Sequence, residues 1–230
     1  MPVEAFKARV AQLALAAAAD QGFALAGGNA LAAHGLLSRS TQDVDLFSPQ
    51  PGGAARVLAG VRAALEADGF DVQITRGSAD EEAEFAQLHV TRDGQTTQLE
   101  LGRDWRAHDV VTLDIGPVLH LDDAVGAKVT ALIGRGLARD YIDVAAAVAQ
   151  YSRPRLLELA FQRDPGLRVV DVALAVQRLD KLAGHQFARY ELDAEQTAAL
   201  RERFADWPRD SAADDVAHEA YAVTHPSDGP

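Results

Sequence analysis

Gly27-Gly28-Asn29-Ala30-Leu31 and, soon after it, Arg39-Ser40-Thr41-Gln42-Asp43-Val44-Asp45-Leu46-Phe47 are the stretches that decide the fold. The glycines let backbone N–H groups approach a phosphate, since no Cβ blocks the way and a helix N-terminus favours negative charge. Asp43 and Asp45 lie two residues apart in a predicted strand, so both side chains point to one face. Two carboxylates beside a phosphate-binding turn are what a magnesium–nucleotide site requires. Each motif alone is typical of turns or solvated strand ends, but their combination favours the functional interpretation.

The composition is that of a globular protein. The chain has 230 residues, and 48% of them are apolar, which is ample for a buried core. It contains no cysteine, which excludes disulfides and thiolate metal sites. The apolar stretch Ala11–Ala19 follows a mixed-charge start and is too short to span a bilayer, so we interpret it as an ordinary helix. We expect a soluble cytoplasmic protein without a membrane partner.

The charge and the histidines limit the possible partners and sites. A net charge of −12 disfavours broad, non-specific binding to nucleic acid, because most of the surface would repel phosphates. It still permits a local basic patch at an active site, or a basic protein partner. The seven histidines are scattered along the sequence and indicate no zinc site.

The hydrophobic periodicity predicts an α+β fold. Strands are predicted at 23–26, 42–47, 70–75, 85–91 and 95–101, with Asp93-Gly94 as the turn of a hairpin. Helices are predicted at 3–20, 29–35 and 54–67, then at 122–134, 139–150, 154–162, 167–183, 193–206 and 211–221. We therefore predict an α/β domain over residues 1–120 and a helical domain over residues 121–230.

A second group of charged residues lies in the predicted helical half. Lys128 occupies an otherwise apolar helix, and Arg135 follows it by seven residues, on about the same helix face, where both cations could meet a triphosphate. Asp140 and Asp143 open the next predicted helix. The structural alternative is ordinary, because a lysine at a helix edge extends to water and acids near a helix N-terminus complement its dipole.

The order of these motifs resembles the DNA polymerase β-type nucleotidyltransferase superfamily, and most of all its AbiEii/AbiGii toxin branch. That branch carries Gly-Gly-x-Ala-Leu…Arg-x-Thr-x-Asp-h-Asp, where h is hydrophobic, then a lysine, then Arg-[Lys/Arg]-Asp-h-h-Asp. The corresponding residues here are 27–47, Lys128, and Arg139-Asp140-Tyr141-Ile142-Asp143. Asn29 stands where many relatives carry serine or threonine, and its amide can still donate to a phosphate oxygen. The resemblance covers roughly residues 22–48 and 96–146.

Such a site usually needs a third carboxylate from a neighbouring strand. Glu100 is the best candidate, because it is a lone acid between Leu99 and Leu101 in a predicted strand. Asp114 is its rival, and either acid could instead lie on a solvated strand face. A third acid here would help to hold the metal ion that activates the attacking hydroxyl, or would itself act as the general base.

The resemblance implies a nucleotidyltransferase-type mixed sheet flanked by helices, whose C-terminal helical region contributes NTP-binding and catalytic residues. It also implies a cofactor, two Mg²⁺ ions with Mn²⁺ as the alternative. The expected catalytic residues are Asp43, Asp45, Glu100 and Asp143, and the metal ligands are Asp43, Asp45 and Glu100. Nucleotide-binding roles are expected for Gly27, Gly28, Asn29, Arg39, Lys128, Arg135 and Asp140. Asp140 could equally orient Lys128 or an arginine, and we expect all these side chains to form one pocket.

The expected activity is transfer of a nucleoside monophosphate from an NTP to an acceptor hydroxyl. The resemblance implies the toxin of a toxin–antitoxin pair, with tRNA as the acceptor and a cognate antitoxin as a partner. Two alternatives stay open: a small-molecule nucleotidyltransferase of the antibiotic-modifying type, and an inert module that binds a nucleotide or a partner. We expect Lys128→Ala to weaken NTP affinity, and Asp43→Ala or Asp45→Ala to abolish turnover with little loss of stability.

Overall fold

A computed structural model of the chain describes residues 3–77 and 83–209. The chain divides into two compact units between Ala124 and Val125. The N-terminal unit is a β-sheet with helices, and the described part of the C-terminal unit is helical. The domain boundary predicted between residues 120 and 121 lies close to this division.

The N-terminal unit is built on a mixed sheet that has seven strands among the described residues. The strands are β1 (Ala24–Leu25), β2 (Asp43–Ser48), β3 (Asp71–Arg76), β4 (Phe85–Arg92), β5 (Gln95–Arg103), β6 (Val111–Leu113) and β7 (Gly116–Val118). Their order across the sheet is β3-β4-β5-β2-β1-β7-β6. β2 pairs in parallel with β5 and antiparallel with β1, while β1 pairs in parallel with β7. The predicted α+β class with a mixed sheet is confirmed.

Three helices belong to the N-terminal unit: α1 (Ala5–Ala17), α2 (Gly27–Ala33) and α3 (Gly53–Ala67). A fourth, α4 (Leu121–Gly134), begins in this unit and continues into the next. α1 and α3 pack on each other and on the sheet. One sheet face is fully buried and forms the core, with side chains from Val44, Leu46, Leu88, Val90, Leu99 and Leu101. Each such side chain contributes about 1.5–3 kcal/mol through burial, so this face fixes the strand orientation.

The alternation of buried and half-buried residues along β2 and β5 places the polar side chains on the opposite face. Asp43 and Asp45 alternate with the buried Val44 and Leu46, and Glu100 lies between two buried leucines. A one-residue slip of either strand would bury the acids and expose the leucines, so the register is strongly specified. The core therefore determines which way the acids point.

The C-terminal unit consists of short helices around an aromatic centre. After α4 come α5 (Ala138–Ala147), α6 (Arg153–Arg163), α7 (Val169–Lys181), α8 (Gly184–Ala188) and α9 (Ala194–Glu202). The hydroxyl of Tyr141 donates to the carbonyl oxygen of Ala175 at 2.7 Å, and burial raises the pKa of Tyr141 to about 12. The Phe204 ring contacts the rings of Tyr141 and Trp207. This cluster joins α5, α7 and the chain after α9 into one core.

The predicted elements within the described residues are present, with their ends displaced by a few residues. The helix predicted at 3–20 is α1 followed by a 3₁₀ turn at Ala19–Gln21, and α2 begins at Gly27 rather than Asn29. The β6–β7 hairpin and α8 were not predicted. The helix predicted at 211–221 lies outside the described residues. Within the described part of the chain, every helix is too short or too polar to cross a membrane.

Candidate active site

Gly27 and Asp45 are packed directly against each other. Gly27 has a φ of +59°, in the left-handed region that favours glycine. A Cβ placed on it would lie 1.7 Å from Oδ2 of Asp45 and 2.7 Å from its Cγ. A side chain at residue 27 would fit only if the Asp45 carboxylate moved from its present position. The first glycine of the motif is therefore required by the position of the Asp45 carboxylate, as well as by the turn itself.

The parallel pairing of β2 with β5 aligns the acids of two distant sequence segments. Asp45 is the direct partner of Glu100, and Asp43 is the direct partner of Gln98. Adjacent strands lie about 4.8 Å apart, and directly paired residues project their side chains to the same face. Asp43, Asp45 and Glu100 therefore share the polar face of the sheet, and Asp45 lies between the glycine turn and Glu100.

Two glutamine side chains hold the Glu100 carboxylate. Nε2 of Gln98, on the same strand, donates to Oε1 of Glu100 at 2.7 Å. Nε2 of Gln87, the residue paired with Glu100 on β4, donates to the same oxygen at 3.2 Å. Both bonds are to Oε1, so the amides restrain the position of that oxygen.

Asp114, the rival third acid, lies elsewhere in the sheet. It is exposed in the turn that joins β6 to β7 at one edge. β7 and β1 separate that edge from β2. The sheet order therefore brings Glu100, and not Asp114, beside the Asp43–Asp45 pair.

Asn29 has a structural role in this arrangement. Its side chain is 1% exposed, and its Nδ2 donates to the carbonyl oxygen of Asp43 at 2.7 Å. Its Oδ1 accepts a hydrogen bond from the hydroxyl of Thr41, whose carbonyl oxygen accepts one from the buried amine of Lys7. The Asn29 amide thus fastens the start of β2 to α2, and its nucleotide-binding role stays a prediction.

Lys7 is a contributor that the sequence reasoning missed. Its side chain is buried, forms an ion pair with Glu4 at 2.8 Å and donates to the loop that precedes β2. The position of Lys7 next to Phe6, on the apolar side of α1, could have indicated that the lysine is buried. The acceptor of its hydrogen bond is the backbone carbonyl of Thr41, far along the chain. Sequence alone carries no indication of that partner.

Arg39 lies beside the second glycine of the turn. A Cβ on Gly28 would be 2.8 Å from Cγ2 of Thr41 and 3.6 Å from Nη2 of Arg39. Nη1 of Arg39 donates to the carbonyl oxygen of Ser40 at 3.0 Å. The guanidinium is therefore held next to the glycine turn, where it adds positive charge, and its nucleotide-binding role stays a prediction.

In the C-terminal unit, Lys128 and Asp143 form a buried ion pair. Nζ of Lys128 lies 2.9 Å from Oδ2 of Asp143. Lys128 is 9% exposed and Asp143 is 0% exposed. Each charge is therefore largely withdrawn from water and has the other as a direct counter-charge. The family motif associates these two residues, and the structure places them in direct contact.

Asp140 pairs with the arginine rather than with Lys128. Its fully buried carboxylate accepts from Nε and Nη2 of Arg135 at 3.0 and 2.8 Å, and from the backbone N–H of Leu137 at 3.1 Å. Arg135 directly follows the last residue of α4, and its backbone N–H still donates to the carbonyl oxygen of Ala131 at 3.0 Å, so the face that it shares with Lys128 stays a prediction. These contacts stabilise the turn between α4 and α5. The nucleotide-binding roles of Arg135 and Asp140 stay predictions.

Comparisons with known proteins concern nearly the whole chain. The family model "Nucleotidyl transferase AbiEii toxin, Type IV TA system" matches residues 11–220. Among the curated proteins, none matches the chain.

Several solved structures share the fold. JHP933 from Helicobacter pylori is 19% identical, with a TM-score of 0.55 and 96% of each chain covered. A putative nucleotidyltransferase from H. pylori is 18% identical, with a TM-score of 0.55 over 96% of this chain and 95% of that one. MenT4, the nucleotidyltransferase toxin Rv2826c from Mycobacterium tuberculosis H37Rv, is 19% identical, with a TM-score of 0.59 over 95% and 92%. At these identities the likeness is one of fold.

Proposed function

The chain belongs to the nucleotidyl transferase AbiEii toxin family of type IV toxin–antitoxin systems, and from this we propose that it transfers a nucleoside monophosphate from an NTP to a hydroxyl of tRNA. Membership makes the chain a nucleotidyltransferase and implies an antitoxin as its partner. The observation that carries the proposal is the position of Asp45, which lies against Gly27 and is paired in register with Glu100. A phosphate-binding turn and two acids from different strands are thereby neighbours.

The donor set on the polar sheet face suits magnesium. Asp43, Asp45 and Glu100 offer only carboxylate oxygens, the ligands that Mg²⁺ prefers and that Mn²⁺ also accepts. When bound, such ions stabilise the negative charge on the attacking and leaving oxygens of an in-line displacement. We propose these three carboxylates as the metal ligands.

The residues around the acids bind and orient the substrate in this proposal. The N–H groups of Gly28 and Asn29 lie in the first turn of α2, where intrahelical partners are lacking, and can donate to phosphate oxygens. The guanidinium of Arg39 adds positive charge beside them. Gln87 and Gln98 keep Glu100 directed, whether it binds a metal ion or accepts the proton of the attacking hydroxyl.

We propose that Lys128 binds the triphosphate and that Asp143 acts through it. A lysine amine has three donors, and Asp143 fixes the position of that amine in a buried pair. Asp143 is then a positioning residue, because its carboxylate is fully buried and occupied by the lysine. The proposal for Lys128 rests on the family motif together with this contact.

A first prediction uses the close approach at the glycine turn. Gly27→Ala should lower nucleotide transfer by about 10²-fold, since the new methyl group displaces the Asp45 carboxylate by an ångström or more. Gly35→Ala is the matched control, because Gly35 also has positive φ (+76°) but nothing within 4 Å of its added Cβ. Both variants carry similar backbone strain, so a difference in initial rate reports the clash. Equal activities would contradict the assignment of Gly27.

The acceptor is tested with labelled nucleotides. The protein is incubated with Mg²⁺, each α-labelled NTP in turn, and total tRNA, and the products are separated by denaturing electrophoresis. In a parallel reaction the tRNA is first treated with periodate, which destroys its terminal hydroxyls. Labelling of untreated tRNA but not of the treated tRNA supports transfer to the acceptor end. Labelling of the periodate-treated tRNA would place the acceptor hydroxyl elsewhere in the molecule. Absence of label from untreated tRNA would reject tRNA as the acceptor.

The net charge of −12 favours a second candidate, a small-molecule acceptor, because the surface as a whole repels polyanions. A parallel reaction with a mixture of aminoglycosides in place of tRNA tests it. Label that moves only to the small molecules would replace the tRNA proposal with this one.

A further inference from the structure

His108 and His120 lie face to face in the N-terminal unit, in segments outside β2 and β5. Their rings are stacked, with centroids 4.5 Å apart and planes inclined by 22°. His108 belongs to the segment between β5 and β6, while His120 immediately precedes α4 and Asp122 is the second residue of that helix. One ligand atom from each of His108, His120 and Asp122 lies within 4.8 Å of the other two.

The nitrogen atoms of both rings are suited to binding a cation. Nδ1 of His120 has a lone pair, since the N–H of Asp122 donates to it at 3.2 Å. Nδ1 of His108 is buried and makes no hydrogen bond to any described residue, although Oδ1 of Asp123 lies 3.4 Å away. A buried polar atom without a partner is costly unless a ligand supplies one. His108 therefore has a nitrogen that the protein itself leaves unsatisfied.

We propose that His108, His120 and Asp122 form a transition-metal site for an ion such as Zn²⁺, distinct from the carboxylates proposed to bind Mg²⁺. Two imidazoles and one carboxylate are a donor set of catalytic and structural zinc sites, whereas Mg²⁺ prefers oxygen alone. The chemical difference between the two donor sets separates the two sites. Neither the family assignment nor the nucleotidyl transfer reaction requires an ion at the histidines.

The neighbouring Asp123 holds the segment that carries His108. Its buried carboxylate accepts the backbone N–H groups of Ala107 and His108, both at 3.0 Å, and so fixes the segment that carries His108. Its Oδ1 also lies 3.4 Å from Nδ1 of His108. Asp123 thus anchors the segment whether or not a metal ion is bound.

Binding requires only small side-chain movements. Bonds of about 2.0–2.2 Å in a tetrahedral zinc site place ligand atoms roughly 3.3 Å apart. Atoms that lie up to 4.8 Å apart must therefore approach by up to about 1.5 Å, as the rings rotate out of their stack and His120 exchanges its bond from Asp122 for the metal. The His108 side chain is 36% exposed, so water can reach the site and complete the coordination. The ion would then link the β5–β6 connection to the start of α4.

The test is a titration of untagged protein, first treated with chelator, with CoCl₂ in excess Mg²⁺. Co²⁺ bound by nitrogen and oxygen in a tetrahedral site gives visible d–d absorption, and Zn²⁺ should displace it. His108→Ala, His120→Ala and Asp122→Asn should each weaken binding by at least about tenfold. His89→Ala, at an exposed position on β4, should not change it.

The outcomes separate this site from the carboxylate site. Circular dichroism verifies that each variant is folded, and the three ligand variants give independent readings if one of them is not. Co²⁺ absorption that persists in all three, or that is absent from the wild type, would overturn the proposal. Loss of the absorption in Asp45→Asn but not in His108→Ala would assign the ion to the β2–β5 acids, and would overturn it equally.

Discussion

Asp45→Asn is expected to lower nucleotide transfer by about 10²–10³-fold and to leave the protein folded. Asparagine keeps the shape of the side chain against Gly27 and removes the negative charge that faces Glu100. The core face of β2 is unchanged, so the melting temperature should move by no more than a few degrees. Initial rates with labelled NTP and circular-dichroism melts measure the two effects separately.

Two further variants make this prediction specific to the sheet register. Glu100→Gln should also reduce the rate, because Glu100 is the direct partner of Asp45 on β5. Asp114→Asn is the matched control, an exposed acid in the β6–β7 turn, and should retain the wild-type rate. Wild-type activity in Asp45→Asn, or a loss in Asp114→Asn as large as that in Glu100→Gln, would show that the acids are wrongly assigned.

Lys128→Met is expected to lower the free energy of unfolding by about 3–5 kcal/mol, because it leaves the Asp143 carboxylate buried without its counter-charge. The sequence alone suggested an effect of Lys128 on NTP affinity, and the burial of the pair adds this larger effect on stability. Urea denaturation at fixed pH measures it. Arg62→Ala is the control, because the Arg62–Glu66 pair is exposed and its loss should change stability by about 0.5 kcal/mol or less.

The double variant Lys128→Met/Asp143→Val separates stability from nucleotide binding. Removing both members of the buried pair avoids a buried carboxylate that has lost the Lys128 counter-charge, so most of the lost stability should return. A folded protein without the amine can then be tested for NTP binding by thermal shift with and without Mg²⁺. Unchanged stability of the single Lys128→Met variant would contradict the buried pair, and wild-type NTP affinity of the double variant would contradict the triphosphate role.

Local patterns were sufficient to predict much of the fold. The alternation of Asp43 and Asp45 with apolar residues predicted β2, and Asp93-Gly94 predicted the β4–β5 turn, where both residues have positive φ (52° and 76°). β6 and β7 have only three residues each, too few for a period-two pattern to be recognised. Their place in the sheet depends on the pairing of β7 with β1, which is not encoded locally.

The sequence was sufficient to predict the residue types of the candidate site, but it did not predict which residues contact each other. Glu100 could be proposed as a lone acid in a strand, but its register with Asp45 depends on strand pairing between distant segments. The sequence left open whether Asp140 contacts Lys128 or an arginine. The contact with Arg135 depends on the geometry of the chain where α4 ends, which the sequence pattern does not define. His108 and His120 are twelve positions apart in the sequence, and their rings come together only in the folded chain.

The pairing of β2 with β5 has a consequence for protein synthesis. A nascent chain completes residues 27–47 long before Gln95–Arg103 has left the ribosome, and domains generally fold once their strands are available. Until that later strand docks, Glu100 does not face the earlier acids. Truncated translation products that end before residue 95 therefore carry the whole glycine and aspartate motif without the strand that pairs with β2 and brings Glu100 beside Asp45.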